Sequence, residues 1–310
     1  MHSYWDCFFV YRGLTDAAEV ARALGKGPEA EEWGKLADEF RDSVVASINA
    51  AVAAHGIDYI PGCVELGDFD ATSTTVALVP CGAQGWLPPA LLRRTFDKYW
   101  EEFAKRRDAG NWKEYTPYEW RVVGAMVRLG ERERALAMAE WFMQHRRPAG
   151  WRHWAEVVSK DDREARFIGD MPHTWVGSDF LQAVRTMFMY EDEGSQRLVL
   201  FAGVPEAWAR GEAGTGFDGF VLPRVGDTPA RGLQAVAKVG PDKVWRVRLG
   251  DPSAPAQAAA NSPWPIPPGG LALKLPVSKV SSVTINGQPG KVEADGTVVV
   301  RTLPALVEMR

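Results

Sequence analysis

Through the first part of the chain, apolar residues recur at steps of three and four. Between Glu29 and Ala54 they fall at Trp33, Leu36, Ala37, Phe40, Val44, Ile48 and Val52, one stripe of an amphipathic helix. Similar stripes run from Leu91 to Arg106, Tyr118 to Leu129, Arg132 to His145 and Trp175 to Tyr190. In the last, Pro172 and Thr174 read as a helix start, and Val176, Phe180, Leu181, Val184 and Phe188 as the buried stripe. Short turns such as Leu129-Gly130-Glu131 pair the helices, and loops with Pro and Gly join one pair to the next. Antiparallel helix pairs in series are the expected architecture.

After Glu193 the period changes to two. Alternating runs from Lys243 to Leu249, Gly270 to Leu275, Val280 to Ile285 and Gly296 to Arg301 predict strands. Asn286-Gly287 and Asp295-Gly296 between them are dipeptides that favour tight hairpins. The expected organisation is α+β and multidomain: a helical domain over residues 1–193 and an all-β domain, read as a sandwich, over 194–310. The Pro- and Ala-rich stretch from Asp251 to Gly270 is expected as a long loop on the second domain.

Composition narrows the partners. The 310 residues are 46% hydrophobic, enough for substantial cores. Net charge is −4 with both signs interspersed, so no broad cationic surface awaits a phosphate backbone and nucleic acid is not expected. The longest apolar run, Leu198 to Val204, is far short of the roughly 20 residues that cross a bilayer, so no membrane partner is expected either. Met1 to Leu14 lack the basic start and unbroken apolar stretch of a secretion signal. Cys7, Cys63 and Cys81 cannot all pair within the chain and have no close metal-ligand spacing; they read as buried thiols, and no metal site is expected. Thirteen tryptophans are several times an ordinary share. They fill a large helical core or line a carbohydrate cleft, where the C–H faces of sugars pack on flat rings.

Four loops in the helical part carry more polar and aromatic residues than a connector needs. The first, Glu65 to Thr75, places Asp68 and Asp70 before a hydroxyl run, which also suits a helix cap. In the second, Asn111 to Arg121, Trp112, Glu114 and Tyr118 accompany Thr116-Pro117-Tyr118-Glu119, a capping-box pattern with proline at the first helical position. The third is "GWRHWAEVV", which sets Trp151, His153 and Trp154 ahead of Glu156. The fourth, Ile168 to Phe180, groups Asp170, His173, Trp175 and Asp179. Glycoside hydrolysis needs two carboxyl groups about a scissile bond in an aromatic cleft, one protonated and one ionised, and no organic cofactor. No phosphate loop, metal site or Ser-His-Asp spacing competes with that chemistry.

Read together, "HSYWDCFFVYRGLTDAAEVARALG", "GDFDATSTT", "YTPYEWRVVGAMVRLG" and "IGDMPHTWVGSDFLQAVRTMFMYE" resemble bacterial six-hairpin glycosidases over roughly residues 2–205. The resemblance implies an (α/α)6-type toroid, and its nearest mechanistic analogue is the α-L-rhamnosidase type. There an aromatic segment with a Trp-Glu-Arg-Trp core precedes a second aromatic helix start. Here "GWRHWAEVV" precedes "GDMPHTWVGSDF", which makes Glu156 the general base of an inverting reaction. Ala155 separates Trp154 from Glu156, and no Arg-Trp follows, which departs from that core.

A full toroid has twelve helices, and this chain offers seven or eight. The expectation is the C-terminal part of a larger enzyme that starts inside the barrel; the sequence leaves the compartment open, and a periplasmic or secreted place is compatible with a full-length parent. Such a piece would leave an apolar barrel edge for the missing hairpins or for a second copy. The acid is then Glu119 or Glu114, or lies outside this chain. Trp5, Asp6, Asp68, Asp70, Trp112, Tyr118, Trp151, His153, Trp154, Asp170, His173 and Trp175 are the expected sugar-binding residues. Cys7 stands where relatives often carry a second Asp after Tyr-Trp-Asp. In the β domain Trp208, Trp245 and Trp264 are candidate glycan platforms. The alternative function is a non-catalytic carbohydrate-binding remnant of such an enzyme.

Overall fold

The structure, a computed structural model, describes residues 1–110, 112–161, 163–164, 171–222, 224–250, 264–277 and 280–310. The chain divides into two compact units, Met1–Leu129 with Ala137–Ala183 and Gly130–Leu136 with Val184–Arg310. Helices dominate the first and strands the second, an α+β organisation. The change falls about ten residues before the expected boundary at 193, and Gly130–Leu136 joins the second unit. Arg132 explains part of that assignment, because Nε donates to Ala202 O and Nη2 to Lys274 O, each at 2.8 Å.

In the first unit α1 (Tyr4–Ala23) and α2 (Gly27–His55) form an antiparallel pair. Pro28 sits in the first turn of α2, and Gly56, at φ 61°, closes that helix in the left-handed conformation. Ala37, Val44 and Ile48 of the expected stripe are buried, whereas Leu36 is exposed. Next come α3 (Ala71–Leu78), α4 (Pro89–Ala109), a two-residue strand β1 (Glu114–Tyr115), α5 (Trp120–Arg128) and α6 (Arg132–Gln144). A second short strand, β2 (Val158–Ser159), pairs antiparallel with β1, and α7 (Thr174–Phe188) follows. A stripe stepped by four, three and four from Val176 passes through Phe180, Ala183 and Met187 and misses Leu181, which is 66% exposed.

α1 packs on α3 and α3 on α5. α5 meets α7 where the Trp120 and Phe180 rings lie edge to face, 4.9 Å between centroids, and Trp5 and Trp175 bring α7 back to α1 at 6.5 Å. Phe9, Val10 and Val20 of α1 and its C-cap Leu24 face solvent. Cys7 and Cys63 are half-buried and Cys81 buried, all with free thiols; burial pushes the Cys81 thiol up to about 12. Among the described residues no helix is long and apolar enough to cross a membrane.

The second unit starts with the hairpin β3 (Met189–Asp192) and β4 (Arg197–Leu200), then a short helix, α8 (Glu206–Ala209). The strands β5 (Thr215–Leu222), β6 (Arg231–Val239), β7 (Trp245–Leu249), β8 (Leu271–Leu273) and β9 (Val283–Ile285) follow. The chain ends with β10 (Gln288–Pro289), β11 (Val298–Val300) and β12 (Ala305–Met309). They make a six-stranded antiparallel sheet in the order β10-β9-β12-β7-β6-β5 and a four-stranded sheet, β11-β8-β4-β3, in which β4 and β8 run parallel. Alternate residues of both sheets enter one core, Leu233, Ala235, Val247, Leu249 and Val307 from the first and Leu198, Leu200, Leu271 and Val300 from the second.

Asn286 and Gly287 turn β9 into β10 with φ 52° and 75°, the paired positive angles of a type I′ turn. Of the three tryptophans read as platforms, Trp245 is buried in this core, Trp208 is exposed and stacks on Phe188, and Trp264 is covered by the Arg231 guanidinium at 3.8 Å. Most of the expected loop from Asp251 to Gly270 lies outside the described residues.

Candidate functional site

The loop before α3 is organised by its two aspartates. Asp70 is the N-cap: Oδ1 accepts from Ser73 N at 3.0 Å and from Thr72 Oγ1 at 2.5 Å, and Oδ2 accepts from Ser73 Oγ. Asp68 Oδ1 accepts from Cys63 N at 2.9 Å, and its carboxylate lies so close to Gly62 that a Cβ there would meet Oδ2 at 2.8 Å. These carboxylates hold the backbone first. Asp70→Ala is expected to cost the first unit about 1 kcal/mol, with Asp70→Ser recovering most of it, as read from urea midpoints. An unchanged midpoint for the alanine variant would contradict the capping role.

Beside this loop lies a cavity of about 350 Å3 lined by Phe69, Asp70, Ala71, Thr72, Tyr99, Glu102, Phe103, Arg106, Thr116 and Glu119. The expected capping box is absent. Thr116 makes no cap bond and donates instead to Glu156 O at 3.2 Å, while Pro117–Glu119 form one 3-10 turn ahead of α5. Glu119 turns inward, 5% exposed, to accept from Arg106 Nη1 at 3.0 Å, from Arg106 Nη2 at 2.5 Å and from the Tyr99 hydroxyl. Burial and the Glu119 charge push the Tyr99 phenol well above its usual pKa, so it remains a donor. Burial works against the Arg106 charge, but its bonds to Glu119 outweigh that and raise its pKa. Both oxygens of Glu119 are therefore engaged by donors, a poor arrangement for an acid that must carry a proton.

On the other side of the same short segment, Tyr118 and Arg121 join a second cluster. The Arg121 guanidinium lies 4.7 Å from the Tyr118 ring, 5.0 Å from Trp5 and 5.4 Å from Trp175. Its Nε is 2.9 Å from Asp179 Oδ2, a buried ion pair, and among the described residues Oδ2 has no well-aligned hydrogen bond. Burial raises the Asp179 pKa, and Arg121 and then His173 oppose the shift. The Tyr118 hydroxyl and His173 Nε2 are 2.6 Å apart, with His173 only 9% exposed. Trp175 keeps more than half its surface in solvent above this buried polar group.

The "GWRHWAEVV" segment is split in use. Trp154 is buried against Trp120 and Phe180, and Trp112 is buried against Trp141, Tyr115 and His145, so both belong to the core and not to an open platform. Trp151, at 63%, and Glu156 are exposed, and among the described residues the Glu156 carboxylate has no hydrogen-bond partner. Thr116 and the β1–β2 pair, Tyr115 opposite Val158, hold the segment, whose Ala155, Val157 and Val158 line a separate cavity of about 250 Å3. His153 packs on α7, its Nε2 3.0 Å from where a Cβ on Gly177 would stand.

No known protein-family model and no curated protein matches this chain. Geometry alone therefore weighs the sequence-derived residues. It brings together Trp5, Tyr118, His173 and Trp175 in one cluster and Asp70 and Glu119 in one cavity. Asp6 is exposed in the first turn of α1, and Glu114 is exposed on β1. Asp170 lies outside the described residues. Among those described, no three His, Cys, Asp or Glu side chains are grouped to hold a metal. Tyr99, Arg106 and Arg121 went unnoticed in the sequence. Each lies on a helix whose periodicity accounts for it as an ordinary member.

Proposed function

We propose that the chain is part of an inverting glycoside hydrolase acting on plant or microbial glycan. Its first unit would be an incomplete (α/α)6-type toroid of the six-hairpin glycosidase kind and its second a β-sandwich. The observation that carries this reading is the convergence of the starts of α1, α3, α5 and α7. The polar cavity lined by the start of α3, by α4 and by the turn ahead of α5, and the aromatic cluster among α1, α5 and α7, share the segment from Thr116 to Arg121. Exposed Trp175 and Trp151 offer flat faces to a sugar, and Asp179 and Glu156 supply one buried and one solvated carboxyl group. Glu156 is the base that activates water.

The internal commitment of Glu119 and Asp70 favours a second reading, a unit that binds carbohydrate without cleaving it. A panel of aryl glycosides, α-L-rhamnoside included, separates the two. Turnover by the purified chain, with NMR showing the product anomer opposite to the substrate's, is expected. Binding without turnover would support the remnant, and neither binding nor turnover would remove carbohydrate chemistry from the chain.

A further inference from the structure

An inverting hydrolysis needs a carboxylic acid whose proton can reach the leaving oxygen, and the first unit has few places to keep one. Glu119 is occupied by Arg106 and Tyr99 donors on both oxygens. Asp68 and Asp70 cap and brace backbone. Asp179 differs from all of these. Its side chain is 12% exposed, Oδ2 has no well-aligned hydrogen bond among the described residues, and the guanidinium paired with it, Arg121 at 2.9 Å, is shared among three rings. The helical step of four places Asp179 beneath Trp175, the ring best exposed to hold a sugar at this cluster.

Resting on the glycosidase reading above, we propose that Asp179 is the general acid, its carboxyl proton passing to the glycosidic oxygen as that bond breaks. Among the described residues, the charged and titratable groups facing it are Arg121 from α5 and His173 at the start of α7, with Tyr118 bonded to His173. The electron pair of the C1–O bond leaves with the protonated oxygen. Glu156 takes a proton from the water whose oxygen forms the new bond to C1. Asp179 ends ionised and Glu156 protonated, and exchange with solvent restores both. The elevated Asp179 pKa, set by burial, keeps more of the acid form present as pH rises.

The test compares alkyl glycosides, whose leaving group needs a proton, with glycosyl fluorides of the same sugar, whose leaving group does not. Asp179→Asn should lower kcat/KM on the alkyl glycoside about a hundredfold or more and on the fluoride by less than about tenfold. Both rates come from one preparation, so partial unfolding cancels from their ratio. Asp179→Glu should recover part of the loss, and the alkaline fall in the wild-type profile on the alkyl glycoside should be absent with the fluoride. Equal losses on both substrates, or none on either, would overturn the assignment and leave Asp179 a structural partner of Arg121. A wild-type chain inert on alkyl glycosides and fluorides alike would overturn the glycosidase reading, and this inference with it.

Discussion

Exchange of Glu156 for Gln is expected to lower turnover of the best glycoside about a thousandfold, with substrate binding retained. A general base contributes roughly two to four orders of magnitude, and the amide keeps the shape and an acceptor oxygen while it cannot take a proton from water. The position makes the test clean. Glu156 is exposed and its carboxylate has no hydrogen-bond partner among the described residues, so the exchange removes no fold contact and the melting temperature should not move. Titration of a bound glycoside by calorimetry, beside kcat and KM, separates lost chemistry from lost affinity. Undiminished turnover would exclude Glu156 from the reaction.

Glu119→Leu should destabilise the first unit by about 3 kcal/mol or more. Removing one partner of a buried ion pair leaves the other charge desolvated and uncompensated. Here it strands the Arg106 guanidinium and the Tyr99 hydroxyl together, because both donate to Glu119. Arg106 also lies 5.0 Å from the Trp141 ring and 5.3 Å from Phe103, so it has little freedom to swing into water. The double variant Arg106→Met with Glu119→Leu should recover most of the loss, since an apolar pair of similar volume is often neutral. Ten of the thirteen tryptophans precede residue 176, so urea unfolding followed by tryptophan fluorescence reports chiefly on the first unit. A single variant as stable as the parent would show that the pair contributes nothing beyond its volume.

What the sequence showed and hid follows the range of each interaction. Asp70 before a Thr/Ser run and Asn286-Gly287 between strands act on their own backbone within three residues, and both were legible. Thr116 to Glu119 carried an equally local pattern and misled, because Glu119 found Arg106 on α4 and Thr116 found the Glu156 carbonyl. Composition identified aromatic surface but could not sort it. Trp154 and Trp151 lie three residues apart, one buried and one exposed, and only packing against Trp120 and Phe180 separates them. The pairing of Arg121 with Asp179 joins two helices that no spacing rule connects. Its trace in the sequence was the step of four between Trp175 and Asp179.

Arg132 gives the molecule a constraint of timing. Its two acceptors lie 70 and 142 residues further along the chain. A ribosome therefore releases this guanidinium, and the rest of Gly130–Leu136, well before the strands that receive it, and then delivers Ala137–Ala183 to the other unit. Vectorial synthesis cannot finish one unit before beginning the other. A clone cut near residue 193 would separate the strand-rich unit from a piece of itself, leaving the Ala202 and Lys274 carbonyls without that donor.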